Sequence, residues 1–107
     1  MVGAVMAAPA PDAPGLTPLQ RKRLRALAHP LEPIVRVGKS GLTDAVIEAT
    51  ARALLDHELI KVRLYEPEDK RAMAQELATR TEARLCGLLG HTVILYKRHP
   101  KLPRVPI

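Results

Sequence analysis

The sequence predicts an α/β fold, in which a single compact domain holds a four-stranded mixed sheet with packed helices in the order α-β-α-β-α-β-β. Its 107 residues suffice for one domain with loose ends. Apolar residues recur at helical spacing in three segments and form short, strand-like runs in four others. Because helices and strands alternate along most of the chain, we expect a sheet with helices packed against it.

The first helix is predicted by clear start and stop signals. Thr17, Pro18 and Gln20 match a capping box with proline at the first helical position, and Pro30 ends the helix near His29. Around this helix, an arc that should pack lies beside a basic stripe. The packing arc comprises Gln20, Leu24, Leu27 and Ala28, and the basic stripe comprises Arg21, Lys22, Arg25 and His29.

Six further elements follow along the chain, and Gly90 and His91 join the last two of them as a hairpin. The second helix has an acidic outer face, which should point away from any nucleic acid. The six elements are a strand at 34–37, a helix at 43–57, a strand at 59–65, a helix from 67 to 81, and strands at 84–89 and 92–97.

The ends of the chain differ in composition from its middle. Residues 1–16 are rich in proline and alanine without an apolar period, so we expect a disordered arm. Residues 17–98 form the predicted domain, and residues 99–107 form a basic tail that contains proline. One cysteine excludes an internal disulfide, and no apolar run approaches the roughly 20 residues of a spanning helix. We therefore expect a soluble, cytoplasmic monomer that is not bound to membranes.

The positive charge is segregated along the chain. The formal net charge is +6, and residues 17–29 and 97–107 together hold eight of the 17 basic residues and none of the 11 acidic ones. Such clustering is the electrostatic footprint of a nucleic-acid-binding protein. A basic surface that meets an acidic protein, or that binds duplex DNA without sequence preference, remains an alternative. Sequence-specific DNA binding is disfavoured because the chain has no asparagine and only two glutamines to read base edges.

A glycine loop stands between the first strand and the second helix. In Gly38-Lys39-Ser40-Gly41, the two glycines let the backbone come close to a phosphodiester, and Lys39 adds a positive charge. A tight turn without a ligand is the alternative interpretation. The similar run at 87–90 falls in and after a predicted strand, so we interpret it as part of the hairpin.

The sequence gives little support for a catalytic site or a metal-binding site. Cys86 lies among leucines in a predicted strand, which is typical of a buried, inert thiol. The four histidines have no metal-ligand spacing, and His57 falls on the apolar stripe of its helix. We expect no enzyme, no cofactor and no metal. Because Tyr65 and Tyr96 are the only aromatic residues, RNA recognition should depend on phosphate and shape more than on base stacking.

Three ordered runs and a closing hairpin resemble the CRM domain, in its small bacterial form known as YhbY-like. The runs are Leu27-Ala28-His29-Pro30-Leu31, then Val37-Gly38-Lys39-Ser40-Gly41-Leu42-Thr43, then His57-Glu58-Leu59-Ile60-Lys61-Val62, and the hairpin contains Gly90-His91-Thr92-Val93-Ile94-Leu95-Tyr96. The resemblance covers about residues 17–98.

The resemblance implies an RNA-binding protein that is associated with large-subunit ribosomal RNA or its precursors during ribosome assembly. It also implies a fold similar to the C-terminal domain of bacterial translation initiation factor three, with a KH-like GxxG loop as RNA contact. The predicted RNA-binding residues combine this loop with the two basic segments. They are Gly38, Lys39, Ser40, Gly41, Arg21, Lys22, Arg25, Lys97 and Arg98.

Overall fold

The computed structural model describes residues 16–106, and in that range the chain forms three helices and four strands. The predicted arm at residues 1–16 lies outside this range, apart from Leu16. The elements are α1 (Pro18–Ala28), β1 (Val35–Val37), α2 (Asp44–His57), β2 (Leu59–Leu64), α3 (Lys70–Thr81), β3 (Arg84–Leu89) and β4 (Thr92–Tyr96). This order confirms the predicted α/β class and the predicted succession of elements.

The helices begin at side chains that cap their first turns. Thr17 and Gln20 form the predicted capping box, in which each backbone N–H donates to the other residue's side-chain oxygen at 3.0 Å. The third helix begins at Lys70, later than the expected start at Pro67, because the Asp69 carboxylate accepts a backbone N–H of the first turn at 3.1 Å. None of the helices within residues 16–106 has the length and apolar character needed to cross a membrane.

The sheet is mixed, with the strand order β1-β2-β4-β3. β1 and β2 run parallel, and β4 runs antiparallel to both β2 and β3. The carboxyl ends of β1 and β2 therefore lie at the same end of the sheet as the β3–β4 turn. Two backbone hydrogen bonds connect these segments. Tyr65 N–H, after β2, donates to Val37 C=O of β1 at 2.9 Å, and Leu64 N–H of β2 donates to His91 C=O of the turn at 2.8 Å. We call this the loop end of the sheet.

The two faces of the sheet bury separate cores. α2 and α3 cover one face, and α1 crosses part of the other, where Leu24 and Ala28 are fully buried but Leu27 is 43% exposed. The larger core is aliphatic, as the composition requires, and includes Val37, Leu54, Ile60, Val62, Leu64, Leu77, Val93 and Leu95. The smaller core contains Leu24, Ala28, Leu59, Cys86, Ile94 and Tyr96.

A buried carboxylate ties the segment after β4 to the domain. Glu58, which caps the C-terminus of α2, is 0% exposed and accepts backbone hydrogen bonds from His99 at 2.6 Å, Arg104 at 2.6 Å and Val105 at 2.7 Å. Burial raises the pKa of Glu58, but the three N–H donors and the charge of Arg104 lower it more, so the pKa lies below its ordinary value. The ionised carboxylate therefore holds the backbone of this segment to the domain at His99, Arg104 and Val105.

Candidate nucleic-acid interface

The Gly38–Gly41 loop is a tight turn at the loop end of the sheet, between β1 and α2. Gly41 N–H donates to Gly38 C=O at 3.0 Å, and Gly41 has a φ of 74°, which strains residues with a side chain. Lys39 and Ser40 are exposed at the tip. A Cβ atom at Gly38 would meet nothing within 4 Å, so the backbone there is open to close approach by a ligand. The turn conformation therefore requires glycine at position 41, whereas at position 38 the space beside the backbone is open.

The second half of the loop is held by the two helices behind it. Thr43 N–H donates to Gly41 C=O at 3.0 Å, and its hydroxyl accepts an N–H of the first turn of α2 at 3.2 Å. Arg80 reaches from α3 and donates to Leu42 C=O at 3.1 Å. The tip of the loop therefore projects from a fixed base.

Two of the basic residues predicted on α1 donate to backbone carbonyls. Arg21 Nη1 donates to Leu16 C=O at 3.0 Å, and Arg25 Nη1 donates to Cys86 C=O at 3.1 Å. The latter bond joins α1 to β3 at Cys86, where the pairing of β3 with β4 is irregular. Lys22 is exposed, and within the described range its side chain has no hydrogen bond or ion pair. The basic stripe is therefore partly used within the fold, since Arg25 ties α1 to the sheet and Arg21 donates to the residue before the helix cap.

Lys97 and Arg98 lie at the opposite end of the sheet from the loop. They follow β4, whose end pairs with the start of β2, whereas the loop adjoins the end of β2. The six residues of β2 span about 15–20 Å between these two places. Lys97 Nζ donates to Thr81 C=O at 3.1 Å, on the α3 side, and Arg98 is exposed beside Gln20 of α1. The structure thus does not bring these two residues to the loop.

A row of side chains crosses all four strands on the face that α2 and α3 leave uncovered. Arg36 is the partner of Arg63, Arg63 of Thr92, and Thr92 of Leu89. Arg36 and Arg63 are exposed, and in the described part of the chain neither guanidinium has a hydrogen bond or an ion pair. We call this row the sheet platform. The row was not predicted from the sequence, although basic residues alternate with core residues in both parallel strands.

Charge differs on the two sides of the loop. The cavity on the platform side is lined by the cations of Arg36, Arg63 and Lys39 and by one carboxylate, that of Glu66, which borders both sides of the loop. On the α3 side, the hollow beside Lys39 is lined by four carboxylates, which belong to Glu66, Glu68, Asp69 and Glu76. A polyanion that reaches the loop is therefore attracted on the platform side and repelled on the α3 side.

Of the residues considered for catalysis and metal binding, Cys86 and His57 lie apart from this surface, whereas His91 lines its cavity. Burial raises the pKa of the Cys86 thiol to about 11, although neighbouring arginines oppose the shift, so the thiol is protonated at neutral pH. His57, expected on the apolar stripe of α2, is exposed. Among residues 16–106, no three His, Cys, Asp or Glu side chains are grouped closely enough to hold a metal ion.

The chain is similar in sequence to proteins that are named as probable RNA-binding proteins. A protein of Pseudomonas aeruginosa named as a probable RNA-binding protein is 39% identical over 88 residues, which cover 80% of this chain and 85% of that protein. The probable RNA-binding protein YqeI of Bacillus subtilis is 42% identical over 84 residues, which cover 77% of this chain and 88% of YqeI.

A solved structure and a family model complete the comparison. The solution structure of a hypothetical protein from Staphylococcus aureus, described as a candidate RNA-binding protein, has a TM-score of 0.71 and 32% identity, and the match covers 85% of this chain and 99% of that one. The family model of the CRS1 / YhbY (CRM) domain matches residues 16–97. This match takes in every helix and strand described above and confirms the resemblance seen in the sequence, so the chain belongs to the CRS1/YhbY (CRM) domain family.

Proposed function

We propose that this protein binds RNA, and that its target is large-subunit ribosomal RNA or a precursor particle during ribosome assembly. The observation that carries the proposal is the division of charge at the Gly38–Gly41 loop, which is basic on the platform side and acidic on the α3 side. The names of the relatives, which describe RNA-binding proteins, support the same class of partner. The proposal assigns no catalytic step and no cofactor.

In this proposal the loop approaches the phosphates. Gly38 offers an open backbone, and Lys39 and Ser40 offer a charge and a hydroxyl at the exposed tip. Lys22 and the sheet platform extend the positive surface. The charges of Arg21 and Arg25 add to its field, although both side chains also donate to backbone carbonyls of the protein. Phosphate contacts of this kind position a nucleic acid and supply most of the affinity.

The two cations at the far end have separate roles in the proposal. Arg98 is exposed on the α1 side, so it contacts RNA that extends past the first helix. Lys97 donates to Thr81 C=O on the α3 side and lies 3.9 Å from the Glu82 carboxylate, so its contribution is limited to long-range attraction.

The test is fluorescence anisotropy at two salt concentrations, with a large-subunit ribosomal RNA fragment and duplex DNA of equal length. The variant Lys39→Asp, Ser40→Asp should lose RNA affinity, because it places two carboxylates at the tip that approaches the phosphates. It should keep its melting temperature, since both side chains are exposed. Affinity of the wild type should fall steeply with salt, because each neutralised phosphate releases counterions.

The control is Lys70→Ala, Arg71→Asp, which lowers the net charge by the same amount. Both residues are exposed in the first turn of α3, beyond the acidic hollow. This variant should bind RNA nearly as the wild type does. Equal losses in the two variants would contradict the assignment of RNA to the platform side. Equal binding of RNA and duplex DNA, unaffected by the loop variant, would reduce the protein to a generic basic surface and favour a protein partner.

A further inference from the structure

We infer that the cavity at the loop end of the sheet binds one unstacked nucleotide of RNA, whose base stacks on Tyr65. This inference rests on the proposed function and goes beyond it, because it names the structural element of the RNA that the protein selects. The cavity has a volume of about 710 Å³, within the range of sites that hold small ligands. Its lining includes Arg36, Gly38, Lys39, Arg63, Tyr65 and His91.

The position of Tyr65 makes its ring available for stacking. Tyr65 directly follows β2. The preceding residue, Leu64, belongs to the larger core, and successive side chains along a strand lie on opposite faces, so Tyr65 lies on the platform side. The backbone N–H of Tyr65 donates to Val37 C=O at 2.9 Å, so the main chain is fixed while the side chain is 49% exposed. The other tyrosine, Tyr96, is 5% exposed and belongs to the smaller core.

The backbone conformation of the residue next to Tyr65 also helps to define the position of the tyrosine. Glu66 has a φ of 38°, in the left-handed region that side chains rarely occupy. This residue turns the chain from β2 towards α3 and leaves Tyr65 at the rim of the cavity. The Glu66 carboxylate is the acidic group of the lining, against the three cations of Arg36, Lys39 and Arg63.

The cations of the lining complement a phosphate. Across the described residues, the side chains of Arg36, Lys39 and Arg63 have no hydrogen bond and no ion pair, so their donors are free to bind a phosphate. Arg36 and Arg63 are direct partners on the neighbouring parallel strands β1 and β2, which places two guanidinium groups side by side. A nucleotide matches both parts of the site, because its base fits the ring and its phosphate fits the cations.

The same geometry excludes a base within a helix as the occupant. A paired and stacked base presents only its edge, so its flat face cannot reach Tyr65. A bulged or looped-out nucleotide exposes that face and leaves the flanking phosphates beside the loop. We therefore expect the protein to prefer RNA helices that carry an unpaired nucleotide, so that stacking of one base adds to the recognition of phosphate and shape expected from the sequence.

The test compares two RNA hairpins that differ by one bulged nucleotide, each titrated against the wild type, Tyr65→Leu and Tyr65→Phe. The wild type should bind the bulged hairpin about 5- to 150-fold more tightly than the paired one, which is the range expected for stacking of one base. Tyr65→Leu should lose this preference and keep the affinity for the paired hairpin. Tyr65→Phe should retain it, because the ring is retained.

A second readout reports stacking itself. With 2-aminopurine at the bulge, its emission should change on binding to the wild type and to Tyr65→Phe, but not on binding to Tyr65→Leu. A bulge preference that survives in Tyr65→Leu would overturn the inference, and so would equal binding of both hairpins by the wild type. In those two outcomes the proposed RNA binding still holds. Failure of the wild type to bind either hairpin or the ribosomal fragment would refute the proposed function itself.

Discussion

Replacing Glu58 with glutamine should release the C-terminal segment of the protein while leaving the sheet intact. In the structure Glu58 Oε1 accepts from Arg104 N–H at 2.6 Å and from Val105 N–H at 2.7 Å, and Oε2 accepts from His99 N–H at 2.6 Å. A glutamine has one acceptor oxygen and an NH₂ group. If its oxygen keeps the first two donors, its NH₂ group faces the N–H of His99, and two donors oppose each other.

The size of the effect follows from these three bonds. Glu58→Gln removes one hydrogen bond to a buried charge and turns the other two into bonds with a neutral acceptor. A hydrogen bond to a charged group contributes about 1.5–3 kcal/mol, so the variant should lose about 2–4 kcal/mol from the docking of residues 99–105. The loss in global unfolding free energy should be smaller, because the segment can detach and expose its N–H groups to water before the sheet opens.

The assay is native-state hydrogen exchange at the amides of His99, Arg104 and Val105, with urea denaturation for the whole domain. These three amides should exchange much faster in Glu58→Gln, while amides of β2 and β4 should change little. Unchanged exchange at the three amides would refute the assigned role of the carboxylate.

The same contact should respond to pH. Because the pKa of Glu58 in the folded protein lies below its unfolded value of about 4.3, its contribution is present above that pH and is lost as the pH falls through the folded pKa. Glu58→Gln should show no such loss in that window. A wild type and variant with the same acid profile would contradict this linkage.

Two further substitutions test how α1 is held. Gly87→Ala should lower the unfolding free energy by about 1 kcal/mol, because the new Cβ would lie 2.9 Å from Cδ of Arg25. In an Arg25→Ala background this loss should vanish, and a loss that persisted there would refute the clash. Thr17→Ala should cost about 1 kcal/mol in urea denaturation through loss of the capping box, whereas Thr17→Ser should cost little; equal effects would argue against the cap.

The elements of the fold could be predicted from sequence because their signals are local. The capping box at Thr17 and the turn at Gly90 predicted boundaries that the structure reproduces within about one residue. The start of α3 was placed too early because Pro67 is a common first residue of helices, whereas Asp69 supplies the cap. Boundaries of this kind depend on a single side chain and need no knowledge of the tertiary structure.

The site was less predictable because it depends on pairing between distant segments. The row from Arg36 to Leu89 exists only once the register of four strands is known, and the reach of Arg25 to Cys86 C=O depends on where α1 crosses the sheet. The role of Glu58 likewise depends on the fold. It caps α2 at a φ of 64°, where glycine or asparagine is usual, and its carboxylate accepts from backbone groups that lie 41 to 47 residues further along the chain.

The opposed charges beside the loop also affect how the protein would approach a polyanion. Cations on the platform side and carboxylates on the α3 side form a local dipole across the loop, in addition to the net charge of +6. Near a polyanion this dipole experiences a torque, which acts over about 8–10 Å at physiological ionic strength. The torque rotates the basic side towards the polyanion during diffusion, so that more encounters begin in the productive orientation than random collision would give.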